Sequence, residues 1–206
     1  MSKRAQSELS ARPAADTAAK DDGYLTGKFL IASPSMRDAR FRGGVIFMCV
    51  HDEEHAMGIM INKPKPDLHL SSMLPHLEID GDVTNEDTPI LYGGPVETER
   101  GFVLHSEDYK DEKNSLPLSD TLSMTTSKSV LTALTKPFAP RKAVLALGYT
   151  GWNAGQLESE IMRNSWLIGP ADEALIFGGK PEDKWKQALA ALGIAPEQLS
   201  AVAGNA

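Results

Sequence analysis

One stretch, Lys142 to Ile161, constrains the fold more than any other part of the chain: a short apolar run is followed by glycines and then by an amphipathic pattern. Val144 to Leu147 has the character of a strand buried on both faces. Gly148 and Gly151 are expected to break that strand, and the residues after them to continue as a helix. Asn153 is the expected N-cap, with Gln156 three residues on to return the hydrogen bond in a variant of the capping box. On that helix Ala154, Leu157 and Ile161 share one face, while Gln156, Glu160 and Arg163 share the other. Such a turn presents polar groups at a sheet end, but these residues specify no reaction.

The rest of the body is mostly strands. Phe29–Ala32 is a strand-like run, broken at Ser33-Pro34-Ser35. Val45–Val50 and Ala56–Asn62 form an expected antiparallel hairpin across the polar loop His51–His55. Pro64 and Pro66 end the second of these strands, because proline cannot donate to a ladder. Leu68–Leu77 reads as a short helix stopped by Pro75, and an acidic loop runs from Glu78 to Asp87. Further strands are expected at Pro89–Tyr92, Gly101–His105 and Leu118–Thr125, and Trp166–Gly169 follows the central stretch without an assigned element. Helices are expected from Ser127 to about Thr135, at Ala171–Ile176 and from Pro181 to Leu192. Strands come in runs and do not alternate strictly with helices, which favours a single α+β domain over a doubly wound parallel sheet.

Composition limits the partners. The chain has 206 residues, enough for one well-filled core. Residues 1–22 lack large apolar side chains and are expected to form a disordered tail. They have no apolar central region, so no signal peptide is expected, and no run approaches the roughly 20 apolar residues of a bilayer span. The tail carries four basic and four acidic residues, so the whole net charge of −7 lies on the body. No Lys/Arg cluster is counted that would neutralise phosphates, which argues against non-specific nucleic-acid binding and against a membrane surface. The single cysteine, Cys49, fits a reducing cytoplasm and sits within an apolar run, as a core residue would.

Several motifs invite chemistry and weaken on inspection. His51-Asp52-Glu53-Glu54-His55 matches His-x-x-Glu-His, yet zinc chemistry needs both histidines on one helical face. Five residues between two strands cannot supply that face, so no metal is expected. Gly93-Gly94-Pro95 lacks the lysine and hydroxyl of a phosphate loop and reads as a tight turn against the core. Gly151-Trp152-Asn153-Ala154-Gly155 has the glycine spacing of a nucleophile elbow, with Asn where the nucleophile belongs. Glu158 and Glu160 lie two apart on a helix and do not face each other. Glu160 is expected to pair with Arg163. Trp152, beside two glycines, is either a core plug or the wall of a groove.

Five segments occur together and in order: Gly23-Tyr24-Leu25 with Phe29–Ala32, Ala56–Pro64, Gly93–Val96, Gly101–His105, and Gly148–Glu160. In this the chain resembles the bacterial YqgE/AlgH family over about residues 23–200, leaving a short tail at 201–206. The resemblance implies an α+β fold with a bifurcated, mostly antiparallel sheet, part of it closed as a small barrel, flanked by helices. It also implies a cytosolic bacterial protein. Some members are described as transcriptional regulators of exopolysaccharide synthesis. No catalytic residue is carried over from the family, and no DNA-binding helix-turn-helix is recognisable, so regulation is expected to be indirect.

The leading expectation is a non-enzymatic binding or regulatory protein without a cofactor, acting through a protein partner or small ligand. Its expected rim is Asn62, Gly93, Gly94, Pro95, Trp152, Gln156 and Glu160, because the glycine-marked turns and strand ends carry the polar side chains. The alternative is an enzyme using Glu158 or Glu160 as acid/base with His105 as partner. The third reading is sequence-specific nucleic-acid binding.

Overall fold

The structure is a computed structural model that describes residues 23–81, 83 and 89–195. The N-terminal tail, the 201–206 tail and half of the acidic loop lie outside the described residues. Ten strands form a curled, mostly antiparallel sheet: β1 (Lys28–Ala32), β2 (Val45–His51), β3 (His55–Met60), β4 (Pro64–His69), β5 (Pro89–Tyr92), β6 (Val96–Ser106), β7 (Ser115–Pro117), β8 (Leu122–Thr125), β9 (Ala143–Asn153) and β10 (Trp166–Pro170). The main path is β10-β1-β2-β3-β9-β6-β8-β7, and β5 with β4 branches from β9. Among the described residues, five short or medium helices pack around it: α1 (Leu70–Met73), α2 (Lys128–Ala133), α3 (Gln156–Met162), α4 (Glu173–Phe177) and α5 (Pro181–Ala191).

The expected strand break at Gly148 does not occur. β9 runs from Ala143 through Gly148 and Gly151 to Asn153. What changes at Gly148 is the neighbour. Residues 143–149 pair with β6, and Ala146 and Leu147 also pair in parallel with β5; Thr150–Asn153 pair with β3. Gly148 has φ +75°, a left-handed value that glycine adopts without steric cost. Opposite it, β6 bulges between Val96 and Gly101. The bulge shifts the in/out phase of the strand. Val144 and Ala146 face one core before Gly148, Tyr149 faces that same core after it, and Trp152 therefore points the other way.

The bifurcation lies where β5 leaves the sheet. The Gly93 N–H donates to the Leu147 carbonyl at 2.8 Å, and the Gly93 carbonyl accepts from the Met60 N–H at 2.9 Å. Backbones approach so closely here that a Cβ on Gly93 would lie 2.2 Å from the Gly148 oxygen. The Gly93-Gly94-Pro95 turn thus sits tight against the core, as expected from the sequence. Among the described residues the sheet is a curled half-barrel and no closed barrel is shown: β10 and β7 are the ends of the main path.

β1 and β2 are buried on both faces, and their alternation feeds two cores. Phe29, Ile31, Val45, Phe47 and Cys49 face the core under α4 and α5. Leu30, Ala32, Ile46 and Met48 face a second core that holds Trp152, Leu157 and Trp166. A third, with Leu70, Ile90, Val103, Val130 and Leu145, lies under α1 and α2. Burial pushes the Cys49 thiol up to about 12, in keeping with a core cysteine.

Other expectations shift at the edges. Pro64–His69 is a strand after all, and its prolines are tolerated because β4 pairs only with β5. The short helix does end before Pro75, with Leu74 as its C-cap, and Pro75 opens a 3₁₀ turn at Pro75–Leu77. Leu118–Thr125 is not one strand: β7 and β8 form a hairpin, with the turn inside that segment. In α5, Leu189 is fully buried and Trp185 half-buried, and the Trp185 indole donates to the Ala32 carbonyl at 2.8 Å. No helix among the described residues is long and apolar enough to cross a membrane.

Candidate functional site

The end of β9 and the start of α3 form one side of a groove. Asn153 is not the N-cap. The chain turns through Gly155, which caps the helix in the left-handed region at φ +71°. Gln156 still accepts from the Asn153 N–H at 3.2 Å, half of the expected box. At the other end Asn164 takes φ +57°, and the Ser165 N–H returns to the Glu160 carbonyl at 3.0 Å, so β10 starts beside the helix it has just left.

Glu160 organises this corner. Its Oε2 accepts from the Trp152 indole at 2.9 Å and from the Trp166 indole at 2.8 Å, while Oε1 accepts from the Gln156 amide at 3.0 Å. One carboxylate thus ties the end of β9 to β10. The expected Glu160–Arg163 pair is absent among the described residues because the carboxylate is turned inward. Trp152 is 5% exposed and Trp166 2%, with their rings edge to face at 6.1 Å. Trp152 is therefore both core plug and groove floor.

The opposite wall is the loop between β1 and β2. The Phe41 ring packs edge-on against Trp166 at 5.5 Å. Asp38 takes a forked contact from Arg40, with a shortest distance of 2.7 Å; hydrogen bonding from that guanidinium holds the Asp38 carboxyl below the usual range. Arg37 and, from the end of α3, Arg163 also line the groove. Among the described residues neither has an ion-pair partner. The groove, open to solvent on one side, has a volume of about 630 Å³, within the roughly 300–1,000 Å³ of small-ligand sites. Its charged lining is three guanidiniums against two carboxylates, on a chain of net charge −7.

Of the expected rim, Pro95, Trp152, Gln156 and Glu160 line this groove. Gly93 and Gly94 lie behind it at the fork. Asn62 lies outside it, 5% exposed, accepting from the Val45 N–H and donating to the Gly43 carbonyl, both at 2.8 Å. The arginines were missed. Arg37, Arg40 and Arg42 fall within six residues, a local basic cluster that the whole-chain charge conceals, and Arg163 joins the first two across the groove.

The histidines do not assemble a reactive pair with the groove. His105 is fully buried on β6 opposite Ala143, at the far end of β9 from Trp152, and bonds the Ser106 carbonyl and Thr125. It cannot serve Glu158 or Glu160. Glu158 instead contacts His51 Nε2 at 2.8 Å, while His51 Nδ1 accepts from the Leu25 N–H at 3.0 Å. Both ring nitrogens of His51 are thereby used within the chain. The His51–His55 segment is a hairpin, not a helix, and no cluster of metal-ligating side chains is found among the described residues.

The geometry matches a known group of proteins. The family model for AlgH-like proteins, DUF179, matches residues 29–197. A UPF0301 protein of Nitrobacter hamburgensis is 47% identical over 199 residues, covering 93% of this chain and 92% of that protein. One from Ruegeria pomeroyi is 48% identical over 183 residues, covering 88% and 99%. The solution structure of the AlgH protein from Pseudomonas aeruginosa superposes with a TM-score of 0.73 at 40% identity, covering 92% of this chain and all of that one. The crystal structure of DIP2367 from Corynebacterium diphtheriae gives 0.67 at 19% identity, covering 89% and 95%, a likeness of fold alone. The strands, the fork and the helices described above are therefore those of the AlgH-like family, to which this chain belongs.

Proposed function

We propose that residues 23–200 form a non-catalytic binding protein of the bacterial cytoplasm, whose site is the groove between α3 and the β1–β2 loop. It acts as a regulator through what it binds there. One observation carries this reading: the groove offers guanidiniums and indole edges but no acid–base pair. Of its two carboxylates, Asp38 is held by Arg40 and Glu160 by three N–H donors. A carboxylate engaged with donors of its own chain is not free to meet a substrate proton. General acid–base catalysis needs the opposite arrangement.

The test is ligand retention from a cytosolic extract. Wild-type protein and Gln156→Trp, which fills the groove from an exposed position, are recovered and compared by native mass spectrometry. A species held by wild type and lost from the variant is expected, with stability lowered by no more than the ~1 kcal/mol of a lost helix cap. The same bound species on both proteins would place the site elsewhere. Turnover of any retained species on incubation would overturn the non-catalytic reading.

A further inference from the structure

The geometry points to a phosphate monoester as the ligand class of the groove, with Arg37 and Arg163 as its anion clamp; this rests on the binding reading above. Three features converge. Arg37 and Arg163 approach from different elements, the β1–β2 loop and the end of α3, and among the described residues neither has a counter-ion. Arg40 lines the same space but is already paired with Asp38. The Glu160 charge is directed into the two indoles. Two guanidiniums therefore remain with no carboxylate bound to them, in a lining of formal charge +1, and two such forks suit the several oxygens of a phosphate monoester better than the two of a single carboxylate. The guanidinium fork also suits phosphate oxygens in paired N–H···O contacts.

The space is larger than the anion. A cavity of about 630 Å³ leaves room for an organic group beside the phosphate. Half-buried Phe41 supplies an apolar surface for it, backed by the buried Trp152 and Trp166 rings, whose N–H groups are committed to Glu160. A nucleic-acid strand fits less well. Two carboxylates stand in the groove and the chain as a whole is anionic, so successive phosphates would meet repulsion on either side.

The experiment is calorimetric titration of the full-length protein with adenosine monophosphate, glucose 6-phosphate, inorganic phosphate, adenosine, glucose and a short single-stranded oligonucleotide. At least one ester is expected to bind more tightly than inorganic phosphate and about tenfold or more tighter than its phosphate-free parent. Arg37→Ala and Arg163→Ala should each weaken that ester about tenfold or more while leaving the melting temperature unchanged. No ester exceeding its parent, or undiminished binding by both variants, would overturn the assignment. So would tighter binding of inorganic phosphate than of either ester, or tighter binding of the oligonucleotide. If all esters fail while Gln156→Trp still loses a retained species, the binding groove stands and only the phosphate assignment falls.

Discussion

The two ends of β9 each hold a polar network, sealed in the core at one end and part-exposed at the other, and they differ in what is left over. At the Ala143 end, His105 is enclosed by the Ser106 carbonyl, Thr125 and the Tyr109 ring, and Thr125 passes the chain on to Ser115. Every group named there finds its partner inside the protein. At the Asn153 end, Glu160, Gln156 and the two indoles are just as fully paired, but guanidiniums without partners stand in front of them. Buried polarity alone therefore does not mark a site. The mark is surplus charge standing over a saturated framework.

The sharpest test of that contrast is Trp152→Ala. Removing a side chain 5% exposed between α3 and β10 should cost about 3–5 kcal/mol in denaturant unfolding. A loss below about 0.5 kcal/mol, the range of surface positions, would show that Trp152 belongs to the rim and not to the core.

Next comes a matched pair. Glu160→Ala strands two indole N–H groups, and His105→Ala opens a cavity and leaves the Thr125 hydroxyl with Ser115 as its side-chain partner, so each should cost about 1–3 kcal/mol. Only Glu160→Ala should also alter ligand retention. Glu160→Gln keeps an oxygen for both indoles and should cost less. Equal effects of Glu160→Ala and His105→Ala on retention would erase the distinction between the two ends.

A smaller effect tests a sealed charge under α5. Lys184, 3% exposed, donates only to the Ile176 carbonyl, and burial lowers it from 10.5 to about 8. Above pH 8 the folded lysine has lost its proton while the unfolded one keeps it up to about 10.5, so stability should rise with pH across that window. The slope should be about 1 kcal/mol per pH unit at most between pH 8 and 9 and vanish in Lys184→Met. Cys49 acts with opposite sign. Its folded thiol stays protonated to about 12 against an ordinary 9, so its contribution falls as pH rises above 9. Cys49→Ala should remove that decline.

The smallest effect on stability, under about 0.5 kcal/mol, is expected for Arg37→Ala and Arg163→Ala, both exposed and without ion-pair partners among the described residues. A large loss in either would mean that the arginine is part of the framework and not the surplus.

The strand-and-turn plan was legible because apolar runs and turn residues report local geometry. The β2–β3 hairpin, the Gly93–Pro95 turn and α5 follow from such runs. Gly148 was read as a stop because a glycine in a strand pattern signals either an end or a bulge, and only the partner strand decides which. Pro64 and Pro66 misled in the same way: whether a proline is tolerated depends on the strand being an edge. In the groove, Trp152, Gln156 and Glu160 share one stretch and were found. Trp166, Phe41 and Arg37 reach it from other elements, so nothing in the local pattern joins them to it.

The fork at Gly93 also sets a timetable. Met60, Gly93 and Leu147 meet there in two adjacent hydrogen bonds, although long stretches of chain separate them. Closing such distant contacts requires chain entropy to be lost before any contact compensates, which slows folding. During synthesis β3 and β5 both emerge well before β9, the strand that joins them. Until then the apolar β3 edge, with Ala56 and Gly58 awaiting Trp152 and Thr150, is an unpaired template of the kind that favours association between chains. The close backbone packing that steadies the finished sheet thus leaves the nascent chain open to mispairing until its last third is made.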